Sequence, residues 1–299
     1  MLAPEKAAPW MSPTILGVLC GAGAAFFWAI GLVAARHGIQ IGMSPSDISL
    51  HRYVWSAFLF LPLMATGHLT GPGAIGWGRS FTLTLFAGPL LSILSYAGFL
   101  LVPLGHGGLI QPSTAALVGL ILASVALKEK LPLTRALGAL TIVVGLAAIA
   151  AEALTTIGTH GLLGDLSFMA AGTCFAIFGM LLRLWRIQPT RGTVVVSILS
   201  LLYVPVHGVL FGFHSVIAAG LYENFIQALV QGIFAGPLSI FLFARAVVLL
   251  GVSRAAVFPA LVPPFTLLSG YLILGEAPSV IQLFGLAIVA VGFRLTQKG

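Results

Sequence analysis

The chain has 299 residues, of which 59% are hydrophobic and only 7% are charged, with 14 basic and 7 acidic side chains. Soluble domains average about 25% charged residues, so this chain has too few charges to cover a water-facing surface, and lipid must surround most of it. The net charge of +7 does not indicate nucleic-acid binding, because the basic residues lie in short connections rather than on one basic face.

The apolar runs predict the transmembrane segments in chain order. A spanning helix needs about 20 apolar residues, and these runs are continuous, unlike the short alternating strands of a barrel. The predicted spans cover residues 14–35, 47–66, 80–102, 107–127, 133–151, 161–182, 193–213, 224–248, 253–274 and 279–296. The sequence therefore predicts an all-α integral membrane protein with ten transmembrane helices and no room for a soluble domain between them.

The basic residues indicate the orientation of these spans. If the N-terminus is cytoplasmic, 12 of the 14 basic residues lie on the inner side, and only Arg36 and Arg52 lie on the outer side. Cytoplasmic loops carry an excess of Lys and Arg. We therefore expect both termini to be cytoplasmic, in a cell membrane such as the bacterial inner membrane.

The sequence repeats itself at an offset of 147–148 residues. The segment Phe86–Leu90 recurs without change as Phe234–Leu238, and Phe27 is echoed by Phe175. Further residues at a constant offset are Pro112, Leu127, Glu129, Gly138 and Gly145, which recur as Pro259, Leu274, Glu276, Gly285 and Gly292. We predict two five-helix units, 1–152 and 153–299. Because five is odd, the second unit enters the membrane in the opposite direction, which is typical of transporters with alternating access.

These paired motifs also resemble a known family. The proline in the fourth helix, the Leu-x-Glu at its end and the glycines nine and sixteen residues after the glutamate resemble the EamA-type branch of the drug/metabolite transporter superfamily. The resemblance covers nearly the whole chain. It implies a ten-helix exporter of small metabolites, similar to the amino-acid exporters of that branch, including those for aromatic amino acids.

Several prolines fall inside predicted spans and are candidate hinges. They are Pro89, Pro112, Pro237, Pro259, Pro263 and Pro264. A proline removes one backbone hydrogen bond, and in a bilayer the freed carbonyl must meet protein, water or solute. Matched positions in the two halves favour hinges over static kinks, although duplication alone would also preserve them.

Aromatic and neutral polar residues are the candidates for binding a solute. Trp28, Tyr96, Gln111, Tyr203 and His207 are predicted within helices, and Tyr203 and His207 are four residues apart, on one helix face. Such a surface suits a small amphipathic solute. Helix packing is the alternative for Trp28 and Tyr96, and an interfacial position is the alternative for Tyr203. His207 is a candidate solute ligand or proton relay.

The charged residues limit the solute class. All seven acidic residues are predicted outside the spans or at their edges, which disfavours cation extrusion and ion coupling. Glu129 and Glu276 are interpreted as interfacial anchors, and replacing either by Gln is expected to leave transport largely intact. Arg52 either extends to the outer interface or meets a solute carboxylate. The scarcity of basic residues in the spans disfavours organic phosphates.

The remaining function classes are disfavoured by the absence of their motifs. We find no hydrolase, metalloprotease or phosphate-loop motif, and Cys20 and Cys174 each lie in an apolar run. No catalytic residue, cofactor or metal is therefore predicted, and an inverted repeat favours a carrier over a channel. We expect an exporter of small neutral or zwitterionic metabolites, most readily amino acids, with a multidrug exporter of the same fold as the alternative. The oligomeric state stays open.

Overall fold

The computed structural model describes residues 12–65, 70–126, 128, 132–255 and 258–296, and these residues contain helices but no strand. Its ten main helices are α1 Pro13–Gln40, α2 Pro45–Ala65, α3 Trp77–Leu100, α4 Leu104–Ala126, α5 Leu133–Thr156, α6 Thr159–Leu184, α7 Pro189–Leu210, α8 His214–Leu250, α9 Phe258–Leu274 and α10 Val280–Thr296. The first eight are long and apolar enough to cross a membrane. The last two are apolar but shorter. The all-helical membrane class is confirmed.

Two of these helices are interrupted at the repeated Gly-Pro pair. In α3 the helix ends at Ala87, Gly88 is non-helical with φ −90° and ψ −149°, and a second helical segment begins at Pro89. In α8 the turns of Val230–Leu238 are widened, and Gly236 is non-helical with φ −93° and ψ −105°. A proline cannot donate the backbone hydrogen bond that would continue the helix, so both breaks have the same local cause.

The other four candidate prolines lie in the predicted fourth and ninth spans. The α4 helix runs through Pro112 without a break. Pro259 lies in a single tight turn at the start of α9, and Pro263 and Pro264 lie in the first turn of the helical segment Val262–Leu274. A first-turn amide needs no partner within the helix, and proline is favoured there. The predicted break at Pro112 in the fourth helix is therefore wrong, whereas the predicted ninth span is divided into the turn Phe258–Leu261 and the helix Val262–Leu274. The hinge role of these four prolines stays a prediction.

The packing of the helices is reciprocal between the halves. The α1 helix packs against α8 and α9, and α6, its counterpart in the second half, packs against α3 and α4. The fifth helix of each half, α5 or α10, packs against the other. This exchange of partners is what a two-fold relation between the halves produces.

The glycines of the repeated motif bring α5 and α10 into backbone contact. A Cβ atom on Gly138 would lie 2.8 Å from the carbonyl oxygen of Gly292, and one on Gly292 would lie 2.9 Å from that of Gly138. Gly145 and Gly285 form the second such pair, because a Cβ atom on Gly145 would lie 3.2 Å from the oxygen of Gly285. Small residues permit this close approach of helices in a bilayer.

Candidate functional site

A cavity lies between the halves, where the broken helices α3 and α8 meet α2, α6 and α7. Its lining residues are Arg52, Tyr53, Ser56, Ala87, Leu91, Phe175, Phe178, Thr193, Val196, Ser197, Gly236 and Ile240. We call this space the central cavity. Its volume is about 80 Å³, so the surrounding helices must separate before a metabolite can enter. Both Gly-Pro breaks border it, which places the weakest points of the helices beside the cavity.

Arg52 contributes the charge of the central cavity. It lies two turns into α2, and its Nη1 atom donates to the hydroxyl of Tyr96 at 3.5 Å, the long end of hydrogen bonding. Among the described residues, no acidic side chain forms an ion pair with Arg52. The guanidinium turns into the protein instead of toward the membrane surface, so the interpretation that it extends to the interface is wrong.

Side chains of α2 hold the two helix breaks in place. The Tyr53 hydroxyl donates to the carbonyl oxygens of Ala87 and Gly88, both at 2.8 Å, at the break in α3. The Ser56 hydroxyl donates to the carbonyl oxygen of Gly232 at 2.8 Å, just before the break in α8. A backbone carbonyl inside a membrane needs such a partner. The α2 helix therefore connects the corresponding breaks of both halves.

A buried chain of hydrogen bonds extends from Arg52 across the halves. The Tyr96 hydroxyl donates to Oε1 of Gln231 at 3.0 Å, and Nε2 of Gln231 donates to the carbonyl oxygen of Gly31 at 2.7 Å. Tyr96 is 3% exposed and Gln231 is fully buried. This chain joins α2, α3, α8 and α1, and it fixes the position of the Tyr96 ring beside Arg52.

Tyr203 and His207 lie elsewhere, at the end of the bundle where the odd-numbered helices finish. The Ser46 hydroxyl lies 2.6 Å from both the Tyr203 hydroxyl and Nδ1 of His207. Nε2 of His207 lies 3.3 Å from Oδ1 of Asp47, whose other oxygen accepts from the Ser215 hydroxyl at 2.7 Å. The shared helix face of Tyr203 and His207 is confirmed. Together these residues join the start of α2 to α7 and α8.

Glu276 forms a second junction at the same end. Its Oε1 atom accepts from Nε of Arg36 at 2.6 Å and from Nε2 of Gln40 at 2.8 Å, and its Oε2 atom accepts from the backbone N–H of Leu104 at 2.8 Å. The Arg36 guanidinium also donates to the carbonyl oxygen of Phe99. Glu276 follows α9, as the sequence predicted, but it holds together the ends of α1, α4 and α9 instead of only facing water.

The acidic side chains of the described residues collect at this end, which we call the acidic end. They are Asp47, Glu152, Asp165, Glu223 and Glu276. Asp165 is 1% exposed and lies 2.9 Å from Nδ1 of His106, and Asp47 is fully buried. The prediction that acidic residues lie at the edges of spans holds for these, but Asp47 and Asp165 are buried beside histidines instead of contacting water. Glu129 lies outside the described residues.

Gln111 and Trp28 do not line the central cavity. Oε1 of Gln111 accepts from the Ser95 hydroxyl at 2.5 Å, which joins α4 to α3. The Trp28 ring packs against Phe243 at 5.6 Å between centroids, which joins α1 to α8. The five predicted solute-binding residues therefore lie in four separate places, and Tyr96 is the one connected to the cavity. Arg52 and Tyr53, which matter most there, were not in that set.

A larger groove of about 360 Å³ lies between α2, α7 and the start of α8. Its lining residues are Leu50, His51, Val54, Trp55, Phe58, Leu201, Val204, Phe213 and Val216. His51 is the single titratable member, and its Nε2 atom is hydrogen-bonded to Asn224. Polar groups are needed to orient a solute. The central cavity, with its charge and its hydroxyl groups, is therefore the better candidate site.

Fold and cavity together define a class: a helical membrane protein made of two repeated halves around a largely apolar cavity that carries one charge and four hydroxyl groups. The EamA-like transporter family matches residues 15–151 and, a second time, residues 162–296. The chain belongs to this family, and it is a membrane transporter of the drug/metabolite transporter superfamily.

One solved crystal structure of a protein is similar over 95% of this chain and 96% of that chain, with a TM-score of 0.63 and 16% sequence identity. At that identity the likeness shows the fold alone. No curated protein sequence matches the chain.

Proposed function

We propose that this transporter exports small neutral or zwitterionic metabolites, with amino acids, including aromatic ones, as the candidate solutes. The observation that carries this proposal is the central cavity, where the matched helix breaks at Gly88-Pro89 and Gly236-Pro237 border Phe175 and Phe178. Rings provide apolar contact, and the nearby hydroxyl groups can accept or donate hydrogen bonds. Pro89 and Pro237 are the hinges that open the cavity alternately to either side.

Alternating access of this kind fits ten spans arranged as two inverted repeats. The α9 and α10 helices have 17 residues each, which corresponds to about 25 Å at 1.5 Å per residue, close to the hydrocarbon thickness of about 30 Å. Two glycine pairs, Gly138 with Gly292 and Gly145 with Gly285, hold α10 along α5, which is long enough to span. This pairing supports α10 as a full span.

Both termini are proposed to be cytoplasmic, with the acidic end on the outside. A single cysteine at His160, which is exposed at the acidic end, should react with an impermeant maleimide added to intact cells. A cysteine at Gln188, exposed at the opposite end, should react only after the membrane is opened. Cys20 and Cys174 are first replaced by serine. The reverse labelling pattern would invert the proposed orientation.

Flux in proteoliposomes tests whether the protein is a carrier. We expect uptake of radiolabelled phenylalanine to saturate and to accelerate when unlabelled phenylalanine is placed on the other side. Tyr96→Phe should raise the half-saturating concentration roughly fivefold, the equivalent of one net hydrogen bond of about 1 kcal/mol, because the Arg52–Tyr96–Gln231 chain is broken.

Tyr203→Phe is the matched control, since it removes the same atom from a tyrosine whose hydroxyl contacts Ser46 at the acidic end. Its half-saturating concentration should equal that of the wild-type protein. Flux that rises linearly with concentration, without stimulation from the opposite side, would identify a channel. Equal effects of the two substitutions would place the solute outside the central cavity.

A further inference from the structure

The two arginines Arg36 and Arg52 differ in whether they have an anionic partner. At the acidic end, Nε of Arg36 lies 2.6 Å from Oε1 of Glu276. Arg52 lies two turns into α2, and the hydrogen-bond partner of its side chain is the neutral hydroxyl of Tyr96. A charge inside a membrane is costly unless it is paired, and such charges mark sites of function.

The wall of the central cavity carries a single ionised group. Of the lining residues that the structure describes, Arg52 alone is charged, and the others are apolar or carry hydroxyl groups. A guanidinium has five N–H donors in a fixed fork that matches the two oxygens of a carboxylate. A solute carboxylate would therefore supply the negative charge that the lining residues lack.

The same geometry discriminates against an ammonium group. Near Arg52, a second positive charge is repelled, and the lining offers neutral hydroxyl groups at Ser56, Thr193 and Ser197 instead of a carboxylate. The ammonium of a zwitterionic amino acid lies next to its carboxylate, so it offsets part of the attraction to Arg52. A solute with the same ring and carboxylate but no ammonium keeps the full attraction to Arg52.

The apolar part of the solute has a defined position. Phe175 and Phe178 lie one turn apart on α6, with ring centroids separated by 6.2 Å. Leu91, Val196 and Ile240 add further apolar side chains to the lining. A ring attached to a short chain that ends in a carboxylate can therefore contact these side chains while its carboxylate meets Arg52.

We propose that the central cavity is a binding site for small aromatic monocarboxylates, with the carboxylate on Arg52, and that it binds them more tightly than the corresponding amino acids. The proposal rests on the transport function proposed above, and it shifts the preferred solutes of the cavity from zwitterions to monoanions. It also assigns Arg52 as the specificity-determining residue of the site.

Three probes that share a phenylethyl unit and differ in their charged groups test this proposal. At pH 7.5, 3-phenylpropionate is an anion, phenylalanine is a zwitterion, and phenethylamine is a cation. Their affinities are measured by titration of the full-length protein in detergent and by competition for phenylalanine counterflow in proteoliposomes. We expect 3-phenylpropionate to bind about tenfold more tightly than phenylalanine, and phenethylamine to bind least.

Substitutions of Arg52 test whether this side chain causes the order of the three affinities. Arg52→Gln should weaken binding of 3-phenylpropionate at least about tenfold and leave phenethylamine unchanged or improved, and Arg52→Lys should be intermediate because the charge remains but the fork is lost. Arg245→Gln is the control, because Arg245 is likewise an arginine inside a helix, α8, but does not line the cavity. It should preserve the order of the three probes.

The outcomes separate this proposal from the proposed function. Saturable phenylalanine counterflow with phenethylamine binding as tightly as 3-phenylpropionate would overturn the monocarboxylate site and leave the transport function standing. The wild-type comparison needs no variant, so it decides even if Arg52→Gln fails to fold. No saturable flux of phenylalanine, but Arg52-dependent binding of 3-phenylpropionate in detergent, would overturn the proposed amino-acid export and support the site.

Discussion

Alanine at Gly138 or Gly292 is expected to lower the melting temperature of the purified protein by several degrees. The new Cβ atom on Gly138 would lie 2.7 Å from the backbone nitrogen of Thr296 and 2.8 Å from the carbonyl oxygen of Gly292. The new atom on Gly292 would meet the carbonyl oxygen of Gly138 at 2.9 Å. Backbone atoms cannot turn aside as a side chain can, so α5 and α10 must move apart. Overpacking of this kind costs roughly 1–3 kcal/mol.

Gly119→Ala is the matched control for both substitutions. Gly119 lies inside α4, and nothing comes within 4 Å of a Cβ atom placed on it. Alanine favours the helix over glycine by about 0.5–1 kcal/mol, so this variant should melt at the same or a slightly higher temperature. Melting is followed by size-exclusion chromatography after heating. Equal melting temperatures for all three variants would contradict the close contact of α5 with α10.

Glu276→Gln is expected to destabilise the protein by on the order of 2 kcal/mol, since breaking a mostly buried pair leaves a cation without its partner. Both side chains of the Arg36–Glu276 pair are 19% exposed, so water compensates for part of the lost charge. The prediction from sequence concerned transport, which was expected to stay largely intact because a glutamate at a helix end can reach water. The contacts of Glu276 with Arg36, Gln40 and Leu104 add an expected loss of stability.

Glu223→Gln is the matched control for this prediction. Glu223 lies 3.2 Å from His37, and this pair is more exposed, at 22% and 35%. Its loss should change the stability by about 0.5 kcal/mol or less. In a double-mutant cycle, adding Arg36→Met to Glu276→Gln should recover part of the loss, because the unpaired cation is removed with its partner. A full loss that persists in the double variant would show that the ion pair is not the cause.

Features with a local cause were predicted well from the sequence. The breaks in α3 and α8 follow from Gly-Pro pairs inside the helices, where the proline lacks an amide hydrogen and the glycine before it adopts a non-helical conformation. The same rule failed at Pro112, where α4 is continuous, and Pro259, Pro263 and Pro264 lie in the first turns of their segments instead of in a helix interior. The difference depends on where a helix begins, and in a continuous apolar run no polar residue marks that boundary.

The site was predicted only in part because it depends on which helix faces meet. Tyr96 and Arg52 are separated by 44 residues and Tyr96 and Gln231 by 135, yet they form one hydrogen-bonded chain. Trp28, Gln111, Tyr203 and His207 satisfy the same chemical criterion as Tyr96, but they contact Phe243, Ser95 and Ser46 in other places. Residue type identified the candidates, but it did not indicate which of them connect to the central cavity.

The sequence by itself determined the helical membrane class, the repeated halves and the two Gly-Pro breaks. These follow from the length of apolar runs, from identity at a fixed offset and from backbone chemistry, none of which requires knowledge of distant contacts. Only the tertiary structure decided that Arg52 turns into the central cavity without a carboxylate and that Glu276 binds Arg36 across 240 residues. In a bilayer nearly every helix face is apolar, so hydropathy does not indicate which faces pack together, and the direction of each polar side chain is set by that packing.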